Sequence, residues 1–260
     1  MMLVDSHCHL DYVPAGPDRA ETIARARRAG VGAMLTIGTK ITEFPAVRAI
    51  AEENADIWCS VGIHPHEAAA EPETPAERLT SLAAHPKVVG IGETGLDFYY
   101  EHSPRERQAA VFRAHCAAAR ESGLPLIVHT RDADPETAAI LVEEKVPRGV
   151  IHCFSTGRAL AEKAVELGFY ISLSGILTFK NAEHLRETVR ALPLERLLVE
   201  TDAPYLAPMP LRGKTNEPAF IVHTAERLAQ VKGVDPAEVA RATSDNFFRL
   251  FAKARPPGSA

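Results

Sequence analysis

Two histidines separated by a single residue, His7 and His9, are the first chemically explicit feature of the chain. On an extended strand, residues two apart point to the same side, so both imidazoles can reach one cation. His64, Glu93, His129, His152 and Asp202 each follow a short apolar run in the same way. Alone, the His-x-His pair reads equally well as two hydrogen-bonded strand-end histidines. The other residues at equivalent places favour metal ligation. Imidazole and carboxylate together suit Zn²⁺, Mn²⁺ or Fe²⁺, and a larger oxygen share suits Mg²⁺. His7, His9, Glu93, His129, His152 and Asp202 exceed the three protein ligands plus water of a mononuclear catalytic zinc site. Two divalent ions roughly 3.5–4 Å apart, bridged by a carboxylate and a water, use such a set better. Glu93 is the candidate bridge, because it falls between the His7/His9 run and the His129/His152 runs.

These side chains need a scaffold that brings distant strand ends together. Eight apolar runs alternate with amphipathic stretches: 3–4, 33–37, 57–63, 88–91, 126–128, 149–151, 170–173 and 197–199. Between and after them, helical periodicity covers 18–29, 45–54, 76–84, 104–122, 134–144, 158–167, 182–191, 220–231 and 236–253. Gly30, Gly123 and Gly168 stand where helix C-caps are expected. Strands alternating with helices imply parallel pairing through right-handed crossovers, and eight units suit closure. The expectation is an α/β fold: a (β/α)₈ TIM-type barrel, one domain over 1–260, with an extra C-terminal helix and a frayed 256–260 end. In such a barrel all strand C-termini open onto one face, where catalytic residues gather.

A length of 260 residues is ordinary for one barrel. The four cysteines, Cys8, Cys59, Cys116 and Cys153, lack the spacing of a zinc site or disulfide framework, and read as buried and inert. No apolar run reaches the length of a membrane helix, and the first residues lack a secretory pattern, so a cytoplasmic location is expected. The formal net charge of −5 argues against broad, tight binding of duplex DNA by phosphate neutralisation. No obligate protein partner is evident.

The segments Asp5-Ser-His-Cys-His9, Val61-Gly-Ile-His-Pro-His66, Gly90-Ile-Gly-Glu-Thr-Gly-Leu-Asp97, Val128-His-Thr-Arg131, Ile151-His-Cys-Phe154 and Val199-Glu-Thr-Asp-Ala-Pro-Tyr-Leu206 carry a family resemblance. With Gly168–Gly175, Arg212–Pro218 and Asp245-Asn-Phe247, they run nearly the whole chain. The sequence resembles the TatD-type metal-dependent deoxyribonucleases, a branch of the amidohydrolase-like metal-dependent hydrolases. After Phe154 it reads Ser155-Thr156-Gly157, where that family often has a Ser-Gly step. The resemblance implies a TIM-like barrel, two divalent ions (Mg, Mn or Zn) and hydrolysis of DNA phosphodiester bonds. It assigns His7, His9, Glu93 and Asp202 to one metal, and Glu93, His129 and His152 to the second.

The expected nucleophile is a metal-activated water, with Asp202 as ligand and general base beside Glu93. His64, Arg131 and Arg212 are candidate phosphate contacts, and His66 reads as structural. For Arg131 a salt bridge to Asp132 or Asp134 is the competing reading. For Arg212, Lys214 and Asn216 it is loop anchoring. Glu200, two before Asp202, either orients a ligand or forms a strand-end ion pair. Asp97 reads as a loop hydrogen-bonder, and Phe98-Tyr99-Tyr100 as either base-stacking or loop packing. His85, His102, His115, His184 and His223 read as surface or packing residues. The acidic charge points to DNA ends or short single strands, cut as an exonuclease. The alternative is hydrolysis of a small-molecule phosphoester, amide or lactone at the same centre. A carbamylated lysine bridge would need Lys where Glu93 stands, which weighs against amide cleavage. A non-catalytic metal-binding protein is the third reading.

Overall fold

A computed structural model describes residues 2–256. Of the expected frayed end, residues 257–260 lie outside the described range. Eight strands form one sheet: β1 (Leu3–Cys8), β2 (Val31–Thr36), β3 (Ile57–Val61), β4 (Val88–Asp97), β5 (Leu126–Arg131), β6 (Gly149–Ile151), β7 (Tyr170–Leu173) and β8 (Leu197–Val199). Each pairs in parallel with the next in chain order. The sheet curls back on itself just past the last rungs, where the Asp202 N–H donates to His7 O (2.9 Å) and the His9 N–H to Ala203 O (2.8 Å). The fold is a TIM-type (β/α)₈ barrel.

Helices α1 (Pro17–Arg28), α2 (Phe44–Glu53), α3 (Ala76–Ala83), α4 (Arg105–Ser122), α5 (Asp134–Glu143), α6 (Arg158–Glu166) and α7 (Glu183–Ala191) provide the crossovers. They are followed by α8 (Ile221–Lys232) and α9 (Pro236–Leu250). Gly123 ends α4 at φ +67°, a conformation in which a side chain would be strained. Among the described residues, no helix is long and apolar enough to cross a membrane.

Strand residues alternate between two apolar layers, as the period-2 pleat requires. Leu126, Val128, Ile151, Leu197 and Val199 face the helices. Their neighbours Ile127, Val150 and Leu198 join Val4, Leu35 and Val89 in a second cluster, which also holds Phe247, Leu250 and Phe251 from the end of α9. The last helix therefore closes the floor of the barrel. Asn246 fixes it there, donating through Nδ2 to Leu194 O and Leu197 O, both 2.9 Å.

Three strands outrun their apolar runs. β1 continues through His7 to Cys8, β4 through Glu93 to Asp97, and β5 through His129 to Arg131. The polar ends are held by backbone bonds: the Glu93 N–H donates to Gly38 O (3.0 Å) and the His152 N–H to Val128 O (3.0 Å). β4 and β5 run close together here because Gly95 has no side chain. A Cβ at that position would collide with the carbonyl oxygen of His129.

Candidate metal centre

The two carboxylate oxygens of Glu93 face two different groups of donors. Oε2 lies 3.3 Å from His7 Nε2. Oε1 lies 2.7 Å from His152 Nε2, 3.3 Å from His129 Nδ1 and 3.5 Å from His64 Nε2. On the His7 side, Asp202 Oδ1 is 3.4 Å from His9 Nε2 and 3.7 Å from His7 Nε2. Three overlapping triads result: His7, Glu93, His152; His7, His9, Asp202; and His64, Glu93, His129. Within each, the donor atoms lie within 4.8 Å of one another. The His7 and His152 rings stack at 3.9 Å, only 11° from parallel, so the two groups adjoin.

Buried polar atoms normally find partners, since an unpaired one costs about 1–3 kcal/mol. Here both ring nitrogens of His7, Nδ1 of His9 and Oε2 of Glu93 are buried without a hydrogen bond. Lone pairs from imidazole and carboxylate, convergent and without donors, fit a divalent cation. Charge agrees. Burial alone would raise Glu93, yet His152, His64 and His7 outweigh it and hold the carboxyl well below its ordinary range. Burial likewise opposes ionisation of Asp202, and its bond to His9 with the charges of His7 and His152 lowers it all the same. Both carboxylates stay anionic, as ligation requires.

A second ring of carboxylates sets which nitrogen each histidine offers. His129 Nε2 is 3.1 Å from Asp97 Oδ2, which leaves Nδ1 for the centre. His152 Nδ1 is 3.3 Å from Glu200 Oε1, which leaves Nε2 for the centre. Glu200 also accepts the Cys153 N–H at 2.8 Å, so the structure places it against a site histidine. Asp97 is more than a loop hydrogen-bonder: its Oδ2 also meets His66 Nε2 at 2.8 Å, and its Oδ1 accepts the Tyr99 and Tyr100 N–H groups. Asp5 accepts the Thr201 N–H (2.9 Å) and hydroxyl (2.6 Å), tying the end of β8 to β1, and burial raises it to about 7. His64 differs from the others. Its Nδ1 accepts the His66 N–H at 3.1 Å, so the neutral ring carries its proton on Nε2 and can donate to an oxygen anion.

The centre opens into a cleft of about 620 Å³ at the C-terminal face of the barrel. His64, Arg131, Asp202 and Cys153 line it. Arg131 does not pair with Asp132 or Asp134; its guanidinium lies 4.1 Å from the Tyr99 ring and 4.7 Å from Tyr100. Arg212 is exposed 4.0 Å over the Phe179 ring and is not among the cleft-lining residues. Asn216 anchors its loop, donating to Thr201 O (2.8 Å) and Tyr205 O (2.6 Å). Cys8, Cys59 and Cys116 are buried, but Cys153 is half-exposed at the cleft, 3.2 Å from Ser174 Oγ.

Residues 4–252 match the family described as TatD related DNase. The chain belongs to this family. One relative, the metal-dependent hydrolase YcfH of Escherichia coli (strain K12), is 47% identical over 256 residues, 96% of each chain. Another, from Klebsiella pneumoniae (strain 342), is named a 3'-5' ssDNA/RNA exonuclease; it is 37% identical over 241 residues, 90% of this chain and 92% of its own. The crystal structure of the TatD homologue YJJV from Escherichia coli K12 superposes with a TM-score of 0.90 at 32% identity, covering 96% of this chain and 98% of that one. The chain is thus a metal-dependent hydrolase of the TatD family. Within it, sequence reasoning missed Tyr12 and Tyr205, which line the cleft beside His9. The clue was positional: Tyr12 follows His9 by three residues, and Tyr205 follows Asp202 by three.

Proposed function

We propose that the chain, acting as one barrel domain, is an exonuclease-like deoxyribonuclease that cleaves phosphodiester bonds at DNA ends or in short single strands. The observation that carries the proposal is the placement of Glu93, whose two oxygens each face a separate group of donors. That arrangement supports a bridged pair of divalent ions, with His7, His9, Glu93 and Asp202 holding one and Glu93, His129 and His152 the other. When bound, such a pair acidifies water and takes up charge developing on phosphoryl oxygens.

The protein's own contribution is position and proton handling. Asp202, anionic at the edge of the cleft, accepts the proton of the attacking water as its oxygen bonds to phosphorus. The bond from phosphorus to the leaving oxygen breaks, and that oxygen takes a proton from solvent. His64 donates from Nε2 to a non-bridging phosphate oxygen, and Arg131 supplies a fixed positive charge beside it. Asp97 and Glu200 keep His129 and His152 turned inward. The relative named as an exonuclease on single-stranded DNA and RNA supports this substrate class.

One observation favours a second reading. A cleft of about 620 Å³ is also the size of an ordinary small-ligand site, so a small phosphoester fits the same centre. A hydrolysis panel on metal-reconstituted protein separates the two, using single-stranded DNA, duplex DNA, RNA and simple phosphodiesters. Fastest turnover is expected on single-stranded DNA with a free end. An end-blocked duplex cut internally at the same rate would remove the exonuclease reading. Turnover confined to simple phosphodiesters would establish the second.

A further inference from the structure

The chain has five tyrosines, and only Tyr170 is buried in the core. The other four, Tyr12, Tyr99, Tyr100 and Tyr205, are 41%, 57%, 50% and 54% exposed. Three of the four, Tyr12, Tyr100 and Tyr205, line the cleft, and Tyr99 stands edge-on to Tyr100 at 4.8 Å. Tyr12 follows β1 and Tyr205 follows β8, two neighbouring strands at the seam. Tyr99 and Tyr100 follow β4, half-way round the eight-stranded ring. Large aromatic rings left in water on opposite sides of a catalytic mouth need an occupant.

Each side is built as a wall. On the seam side, the Tyr12 ring lies parallel to His9 at 4.9 Å (10°), and Tyr205 stands edge-on to both at 6.3 Å. On the β4 side, Tyr100 lies parallel to His102 (5.5 Å, 6°), and the Arg131 guanidinium rests on Tyr99 and Tyr100. Phe98, next in sequence, packs instead against the core beneath Arg105. The expectation that the three aromatics act alike therefore divides: one packs and two face outward.

Charge says what the walls are for. Arg131 is the only lysine or arginine lining the cleft among the described residues, and the chain carries a net −5. Beyond the scissile phosphate itself, a polyanion gains little here from charge neutralisation, so further affinity must come from somewhere else. Unpaired bases stack on aromatic faces regardless of sequence. We infer that the Tyr12–Tyr205 wall and the Tyr100–Arg131 wall hold the two unpaired bases flanking the scissile phosphate, so that the site selects single-stranded nucleic acid with accessible bases. A duplex keeps those bases stacked on each other and cannot offer them. This inference rests on the nuclease reading above.

The test pairs a tyrosine deletion with a base deletion. Single-stranded DNA oligonucleotides carry a normal or an abasic residue on one or the other side of the terminal scissile bond. Binding to the Mn²⁺-loaded protein is read by fluorescence anisotropy with a phosphorothioate at that bond, and KM and kcat are read on the cleavable version. Wild type should bind the normal oligonucleotide roughly tenfold more tightly than either abasic one. In Tyr205→Ala that preference should fall toward one for one position, and in Tyr100→Ala for the other, with the loss in KM rather than kcat. Tyr205→Phe, which keeps the ring, should retain it. Equal binding of normal and abasic strands by wild type would overturn the inference, as would an unchanged preference in both alanine variants. If wild type binds with the expected preference but cleaves no oligonucleotide with Mg²⁺, Mn²⁺ or Zn²⁺, the nuclease reading fails while the stacking walls stand.

Discussion

The two ends of the barrel are made from the same strands and treat buried polar atoms in opposite ways. At the floor, α9 seals the interior with Phe247 and Phe251, and the amide of Asn246 finds two carbonyl partners. At the mouth, His7, His9 and Glu93 are equally buried, yet several of their polar atoms have no partner. The floor amide is satisfied twice over, whereas at the mouth a convergent set of lone pairs has no donor. The difference marks which end stores stability and which end suits a cation, since unpaired buried polar atoms cost stability.

The largest expected effect comes from breaking the mouth. Glu93→Ala removes the carboxylate whose two oxygens face the two donor groups. Turnover should fall by on the order of 10³-fold or more, because the ions' share of transition-state stabilisation is several kcal/mol. The far-ultraviolet circular dichroism should stay that of the wild type. Retention of most activity would remove Glu93 as the bridge.

Damage at the floor should do the converse. Phe251→Ala empties a fully buried ring position and is expected to cost about 3–5 kcal/mol, lowering the melting temperature by roughly 10 °C. Turnover per folded molecule should hold. A loss of turnover without a loss of stability would mean that floor and mouth are not separable in this way.

Unlike His7, the equally buried His115 lies outside the mouth and has its polar atoms satisfied. His115 on α4 has both nitrogens engaged: Nε2 accepts the Ile63 N–H (3.0 Å) and Nδ1 donates to Val111 O (2.8 Å). Burial, only partly offset by the Val111 bond, lowers it from 6.5 to about 4. The unfolded chain therefore binds the proton first as pH falls. The contribution of His115 to stability is complete above pH 6.5 and is lost between 6.5 and 4, about 3 kcal/mol in all. Denaturant unfolding of wild type and His115→Asn should show a stability gap that narrows across that window. Parallel curves would contradict the assignment.

Much of this was legible in the sequence, for identifiable reasons. The eight apolar runs became the eight strands because period-2 burial leaves an obvious trace. The expected ligands were visible because they break that pattern at strand ends. The same break hid the true length of β1, β4 and β5, since the apolar signal stops where the expected ligands begin. The sealing role of α9 was not legible: a helix against the barrel floor and one against its flank carry similar amphipathic patterns. Nor was the bond from Asp97 to His129, which depends on side-chain torsions. Arg212 stands close to Asp202 in sequence, but its loop carries it onto Phe179 and out of the cleft.

Metal content measured on purified protein most directly tests the proposed pair of divalent ions. After reconstitution and removal of free ions, elemental analysis should find two divalent ions per wild-type chain and fewer in Glu93→Ala. One ion per fully active chain, or an unchanged count in the variant, would contradict a pair bridged by Glu93.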